Sequence, residues 1–335
     1  MIYDNARDLV LDRLFLRFDG LVPDIRLLLK IEGFNPAGSI KLKTAIGLVE
    51  DAERWNLLKP GGRVIESSSG NLGVALSSVC AAKGYPFICV TDPNTSPQNA
   101  ALIRAFGGEV VVVDTKDANG GYLQSRIDYI GDRLQEDPSL FWPNQYANEA
   151  NSRIHYDRTA AAILGEVPEV DFLFVGAGTT GTLMGCADFF REHSPRTRVV
   201  AVDTAGSVTF GFPPGKRHLP GLGTSRRPEL CDPQLVDEVV IVPEAEAVRM
   251  CRSVARSQGI AMGASTGSVL AAVARKRGEL PAGSTVVAIA PDNGDRYLNT
   301  VYDDAWVVER FGLSAVAPHG TDDRPDTDGS LLLKG

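Results

Sequence analysis

Four short segments carry residue types that can do chemistry. In Asn35-Pro36-Ala37-Gly38-Ser39-Ile40-Lys41 the proline and glycine break the chain, Ser39 can cap, and a lysine stands in the first turn of a helix. A lysine held there against a concave surface loses hydration, its pKa falls, and its amine becomes a nucleophile able to form a Schiff base. Lys43 shares the turn. Two positions are ~200° of helix rotation, so only one of the two can face a given site. Glu66-Ser67-Ser68-Ser69-Gly70-Asn71-Leu72-Gly73 offers backbone N–H groups and small hydroxyls to a carboxylate or phosphate. Gly176-Ala177-Gly178-Thr179-Thr180-Gly181-Thr182 reads as a phosphate cup, and Gly263-Ala264-Ser265-Thr266-Gly267-Ser268 opens another helix. The cup is not a Walker loop, since no Gly-Lys-Ser/Thr follows, and it meets the Gly-x-Gly-x-x-Gly spacing without the rest of the dinucleotide fingerprint.

These segments need strands and helices to hold them. Apolar runs at Val64-Ile65, Phe87 to Val90, Val110 to Val113, Phe172 to Val175, Val199 to Val202, Val239 to Val242 and Val286 to Ile289 read as buried parallel strands. Residues 71–83, 97–106, 121–135, 152–164, 181–192, 245–257 and 266–277 have the period and length of crossover helices. The alternation predicts an α/β fold of two doubly wound, mostly parallel sheets, with the site in the cleft beyond the strand carboxyl ends. Residues 45–145 are expected to form a smaller mobile domain, and 1–44 with 146–314 a larger one. Residues 204–234, rich in Gly, Pro and basic side chains, are too long for an ordinary connection and read as a flap or a surface ornament. Residues 315–335 are expected to be a disordered tail.

Composition removes other classes. The 335 residues carry a net charge of −8, which gives no bulk attraction to nucleic acid or an anionic membrane. No run reaches the ~20 apolar residues of a membrane span, so a cytoplasmic address is expected. Five cysteines without CxxC spacing and four scattered histidines suggest neither a disulfide framework nor a metal site.

Taken in order, the lysine after Asn-Pro-Ala-Gly-Ser, the Ser/Gly/Asn loop, the Gly/Thr loop and the Gly263–Ser268 helix start resemble the fold-type II pyridoxal 5'-phosphate enzymes of the cysteine synthase and cystathionine β-synthase family. The resemblance covers about residues 13–305. Wording at Gly120 to Arg126, Asn144 to Glu149, Ala205 to Gly211 and Leu219 to Glu229 is most similar to the branch serving 2,3-diaminopropionate biosynthesis, which joins O-phospho-L-serine to L-glutamate. The resemblance implies that Lys41 holds the cofactor and moves the substrate Cα proton. Asn71 would meet the ring hydroxyl, Gly178, Thr179, Thr180, Gly181 and Thr182 the phosphate, and Ser265 the ring nitrogen. Ser68, Ser69, Gly70 and Gln145 would hold the substrate carboxylate. Arg126 and Tyr146 are the candidates for a leaving phosphate, because a guanidinium matches it bidentately. A homodimer is implied as well.

The family's Ser-x-Lys-Asp-Arg is Ser39-Ile40-Lys41-Leu42-Lys43 here, so local salt bridging must differ. Leu72 stands where cysteine synthases carry a threonine. For carboxylates of a glutamate nucleophile the nearest cations by composition are Lys216, Arg217 and His218, with Arg226 and Arg227 as further suppliers. Cysteine synthase, a catalytically silent cofactor-binding protein and a serine/threonine dehydratase are the rival readings.

Overall fold

The computed structural model describes residues 2–117 and 120–316. Strands β1 (Phe15–Arg17) and β2 (Arg26–Ile31) precede helix α1 (Lys41–Arg54). β3 (Arg63–Ser67), α2 (Asn71–Lys83), β4 (Phe87–Thr91), α3 (Pro97–Ala105), β5 (Glu109–Val112), α4 (Leu123–Glu136) and β6 (Leu140–Phe141) then alternate. α5 (Ala150–Ile154), a π-helical segment (His155–Ala160) and α6 (Ala161–Glu166) lead to β7 (Phe172–Gly176), α7 (Gly181–His193) and β8 (Arg198–Thr204). After an irregular segment come β9 (Glu238–Val242), α8 (Glu244–Gln258), α9 (Ala264–Arg275), β10 (Thr285–Ala290) and α10 (Asp304–Phe311).

Two sheets result, one in the order β1-β2-β10-β7-β8-β9 and one in the order β5-β4-β3-β6. Every pair is parallel except β1 with β2, where Leu16 faces Leu29. Strands such as β4 (FICVT) and β10 (TVVAIA) are buried along their whole length, because helices cover both faces of a parallel sheet. The consequence for function is directional. The segments that follow β2, β3 and β7 leave from carboxyl ends, where ligands bind in such sheets, and they are three of the four chemistry-bearing segments; Gly263–Ser268 follows α8 and meets the segment after β10, where Asp292 stands.

The α/β architecture and all seven expected strands are present, but three strands escaped the apolar pattern. β2 did so because Lys30 interrupts its run, and Lys30 is fully buried. Its amine lies 2.8 Å from Glu32 Oε1, and Lys43 Nζ lies 2.8 Å from the same oxygen and 2.9 Å from Asp12. Arg158 closes the group on Asp12 at 2.5 Å. Burial pushes the Asp12 carboxyl up, but Lys43 and Arg158 outweigh it and hold the group below its ordinary value. Lys43, in the place of the family arginine, is thus tied into the base of the fold.

The helix expected over 152–164 is present, with a π-helical stretch at His155–Ala160 inside it and His155 buried. Ala315, at the start of the expected tail, is fully buried in a cluster with Tyr297, Val301 and Val307; residues 317–335 lie outside the described residues. Among the described residues no helix is long and apolar enough to cross a membrane.

Removing one partner from a buried ion pair leaves an uncompensated charge, at a cost of about 3–5 kcal/mol. Glu32→Ala is therefore expected to lower the urea midpoint with an unchanged m-value, by that order of stability. A loss below about 1 kcal/mol would contradict the role given to Glu32.

Candidate active site

The turn before α1 is held from several sides. Asn35 Nδ2 donates to the carbonyls of Glu32 and Ser39, both at 2.9 Å, and the Ile40 N–H donates to the Pro291 carbonyl at 2.7 Å. Arg296 Nη2 donates to the Ala37 carbonyl at 2.5 Å. These bonds fix the first residue of α1, Lys41, whose amine donates to Thr179 Oγ1 at 3.2 Å. Burial pulls the Lys41 amine down to about 8, with the Glu66 carboxylate acting in the opposite direction. Lys43 points elsewhere, as the helix rotation requires, and is engaged with Glu32, Asp12 and Thr159.

Glu66, at the end of β3, is fully buried. It accepts from Trp142 Nε1 at 3.0 Å and from the backbone N–H groups of Ser67 and Gln145 at 2.8 and 3.2 Å. Burial raises its carboxyl to about 7 against those donations and the Arg126 charge. Ser68 Oγ accepts from the Gly73 N–H at 2.9 Å and the Gly70 N–H at 3.3 Å, so this hydroxyl caps α2. A side chain at Gly70 would meet nothing within 4 Å, which leaves open space in front of the loop. Gln145 Nε2 donates to the Ser67 carbonyl at 3.1 Å and pins the segment after β6 to it.

Asn71 opens α2 between two charged groups. Its Nδ2 donates to Asp292 Oδ2 at 2.7 Å and its Oδ1 accepts from Arg296 Nη1 at 2.6 Å. Asp292 also accepts from Tyr297 at 2.6 Å and from Ser265 at 3.4 Å, and burial raises its carboxyl above the ordinary value despite these donors. Ser265 and Asn71, 194 positions apart in the sequence, therefore share one carboxylate.

The Gly176–Thr182 turn forms an anion seat. Thr180 adopts φ +66°, and α7 starts behind it with no side-chain cap, which leaves first-turn N–H groups without a side-chain partner. Gly178 and Gly181 have no room for a side chain: a Cβ would come within 2.7 Å of the Gly221 carbonyl oxygen and 2.3 Å of Asn151, respectively. Thr180 Oγ1 and Asn151 Oδ1 are buried and, among the described residues, have no hydrogen-bond partner. Asn151 Nδ2 donates to the Gln145 carbonyl at 2.7 Å and to Thr179 Oγ1 at 3.2 Å, which joins the seat to Lys41. Beneath it, His155 lies 3.2 Å from Thr182, 3.1 Å from Thr44 and 3.0 Å from Thr159. Burial, with Lys43 and Lys41 adding to it, depresses His155 well below its ordinary value, so it stays neutral and cannot serve as an acid near pH 7.

Arg126 on α4 is buried, 3.4 Å from Asp92, and its Nε and Nη1 have no hydrogen-bond partner among the described residues. Burial raises the Tyr146 hydroxyl, while the Arg126 charge works to lower it. Tyr146, Trp142, Asn144 and the flap residues Arg226, Arg227 and Glu229 line a cavity of about 200 Å³. Lys216, Arg217 and His218 do not. Lys216 is exposed, Arg217 Nη1 donates to the Gly206 and Thr224 carbonyls, and the His218 N–H donates to Glu244. Of these three, Arg217 holds the flap's shape through its side chain, and Arg226 and Arg227 are the flap cations that line the cavity.

The structure thus brings Lys41, Thr179, the Gly/Thr loop and Gln145 into one bonded group, with Asn71 and Ser265 joined through Asp292. Glu66, Asp92, Trp142, Asn151, Asp292 and Arg296 went unassigned in the sequence. Glu66 stands inside the Glu66–Gly73 segment, whereas Asp292, Arg296 and Asn151 lie outside the four segments, and Asn151 carries no local signal, since its partner Thr179 is 28 positions away.

Comparison with known proteins agrees with this geometry. Residues 15–292 match the family model described as pyridoxal-phosphate dependent enzyme. The chain is 42% identical over 297 residues to the N-(2-amino-2-carboxyethyl)-L-glutamate synthase of Cupriavidus metallidurans, covering 88% of this chain and 87% of that protein. The crystal structure of an O-ureido-L-serine synthase superposes with a TM-score of 0.82 at 32% identity, over 92% of this chain and 100% of that one. That of an O-acetylserine dependent cystathionine β-synthase from Helicobacter pylori gives 0.83 at 27% identity, over 90% and 98%. The chain belongs to the pyridoxal-phosphate dependent enzymes, as a β-replacement enzyme of their cysteine synthase group.

Proposed function

We propose that this enzyme joins O-phospho-L-serine to L-glutamate, giving N-(2-amino-2-carboxyethyl)-L-glutamate and phosphate. The observation that carries the choice of leaving group is Arg126, a buried guanidinium ion-paired with Asp92 through Nη1 at 3.4 Å, whose Nε has no hydrogen-bond partner among the described residues and whose charge acts on both Glu66 and Tyr146. A phosphate ester can use such a group, and a neutral acetyl ester has no anionic oxygen to offer it. The 42% identity to a synthase named for the glutamate adduct supports the second substrate.

The residues present fit the cofactor. The uncapped start of α7, the side-chain-free Gly178 and Gly181, and the unpartnered Thr180 hydroxyl suit a phosphate. Lys41 is the amine that would carry the aldehyde carbon, Asn71 would face the ring hydroxyl and Ser265 the ring nitrogen. When bound, pyridoxal phosphate supplies an electron sink that makes Cα acidic and lets the β-substituent leave, and a neutral hydroxyl at its ring nitrogen favours elimination over transamination.

In this reading Ser69, Gly70 and Gln145 hold the substrate carboxylate, with Ser68 shaping the loop because its hydroxyl caps α2. Lys41 Nζ takes the Cα proton and later returns it. Arg126 and Tyr146 receive the departing phosphate as the β-carbon–oxygen bond breaks. The amine of L-glutamate then forms the new carbon–nitrogen bond and gives up its proton. Residues 45–145, which carry Ser68 to Gly70 and Arg126, would close on the unit built from 1–44 and 146–314 to keep water out.

Product analysis tests the reaction: O-phospho-L-serine with L-glutamate should yield the glutamate adduct by mass, whereas efficient thiol formation from O-acetylserine and sulfide, with no adduct, would place the enzyme among cysteine synthases. Arg126→Gln should lower kcat/KM for O-phospho-L-serine by on the order of 100-fold, the scale of losing a preorganised donor to developing charge, and affect O-acetylserine far less. Equal losses for both esters would contradict the phosphate assignment. Because the neutral amine of Lys41 is the attacking form and its pKa is about 8, cofactor-free protein should take up pyridoxal phosphate about fivefold faster at pH 8 than at pH 7. A rate independent of pH would contradict the burial of that amine.

A further inference from the structure

We infer that the cavity between α4, the segment after β6 and the flap seats the second substrate, a dicarboxylate amine, with Arg226 and Arg227 as its carboxylate anchors. The inference rests on the reaction proposed above and assigns residues to its nucleophile. The cavity, about 200 Å³, has an apolar wall supplied by Leu123, Ile127 and Trp142, and convergent polar groups on the remaining lining. That combination is the ordinary make-up of a metabolite site, and the volume lies below the roughly 300–1,000 Å³ of drug-sized pockets.

Two guanidiniums on one small cavity are notable in a chain of net charge −8. Arg226 already closes on a carboxylate there, that of Glu229, itself part of the lining. An internal carboxylate on Arg226 marks a place that a substrate carboxylate can take. Arg227 donates from Nη2 to the Cys231 carbonyl at 3.2 Å and also engages the Cys231 thiol, with no carboxylate against it among the described residues. A ligand with two carboxylates uses both groups, whereas sulfide or a neutral amine uses neither.

The cavity is connected to Lys41 through a chain of hydrogen bonds. Asn144 and Tyr146 on its lining flank Gln145, whose carbonyl accepts from Asn151, and Asn151 and Lys41 both donate to Thr179. The Leu230 N–H donates to the Tyr146 carbonyl at 3.1 Å, so the arginine-bearing stretch is fastened to the segment that carries Gln145. Arg126 is absent from the lining. Phosphate and dicarboxylate would thus be recognised by separate arginines.

Steady-state kinetics on the holoenzyme test this. Arg226→Ala and Arg227→Ala should each raise the KM for L-glutamate about tenfold or more, the effect of losing a charged hydrogen bond. Phosphate release from O-phospho-L-serine in the absence of L-glutamate reads the first half of the reaction separately, and Lys216→Ala, which removes an exposed flap cation, should leave the glutamate KM as it was. Wild-type enzyme should also use L-glutamine at least about tenfold less well than L-glutamate, a comparison that needs no variant to fold. Adduct formation with an unchanged glutamate KM in both arginine variants, or equal use of L-glutamine, overturns the cavity assignment alone. A wild-type enzyme that releases phosphate and never consumes L-glutamate overturns the proposed reaction and the ligand assigned here together.

Discussion

A half-buried amine with a hydroxyl as its direct partner is the constraint on which the site depends. Lys41 has Thr179 Oγ1 at hydrogen-bond distance and feels Glu66 through its field, so it has no carboxylate in contact to hold it as a cation. Two residues further along the same turn, Lys43 has Glu32 and Asp12 against it. In the proposed function this contrast separates a reactive lysine from a structural one. It requires that every acid near Lys41 be occupied by other donors. Glu66 is occupied by Trp142, Ser67 and Gln145, and Asp292 by Asn71, Tyr297 and Ser265.

That arrangement follows from the parallel sheets. Strands running in one direction deliver the segments after β2, β3, β7 and β10 to the same end, so residues far apart in the chain meet without long connections. Contacts between those segments then fix their positions. Ile40 is bonded to Pro291, Asn71 to Asp292 and Arg296, and Thr179 to Asn151. Under the anion seat, neutral His155 links Thr44 at the start of α1 to Thr182 at the start of α7. The starts of α1 and α7 are thereby tied by one imidazole.

Much of this was legible in the residues. Apolar runs located β3, β4, β5, β7, β8, β9 and β10; burial is nearly continuous along the interior strands β3, β4, β7, β8 and β10, and the edge strands β5 and β9 keep apolar runs while only partly buried. The order of the lysine, serine, glycine and second serine segments indicated the cofactor chemistry before any contact was known. What escaped was tertiary in origin. β2 hides behind Lys30, whose burial makes sense only once Glu32 is placed beside it. Asn151 matters because Gly181 leaves it room, a relation between positions 30 apart. In the flap, composition drew attention to Lys216, Arg217 and His218, yet the backbone carbonyls of Gly206 and Thr224 claim Arg217 and leave Arg226 and Arg227 at the cavity.

The measurement that bears most directly on the central claim is the location of the cofactor's attachment. Borohydride reduction of the purified holoenzyme, followed by digestion and peptide mass mapping, should find the pyridoxyl group on Lys41 with Lys43 unmodified. Recovery of the label on Lys43, or on any lysine outside this turn, would contradict the division between a reactive and a structural lysine on which the account is built.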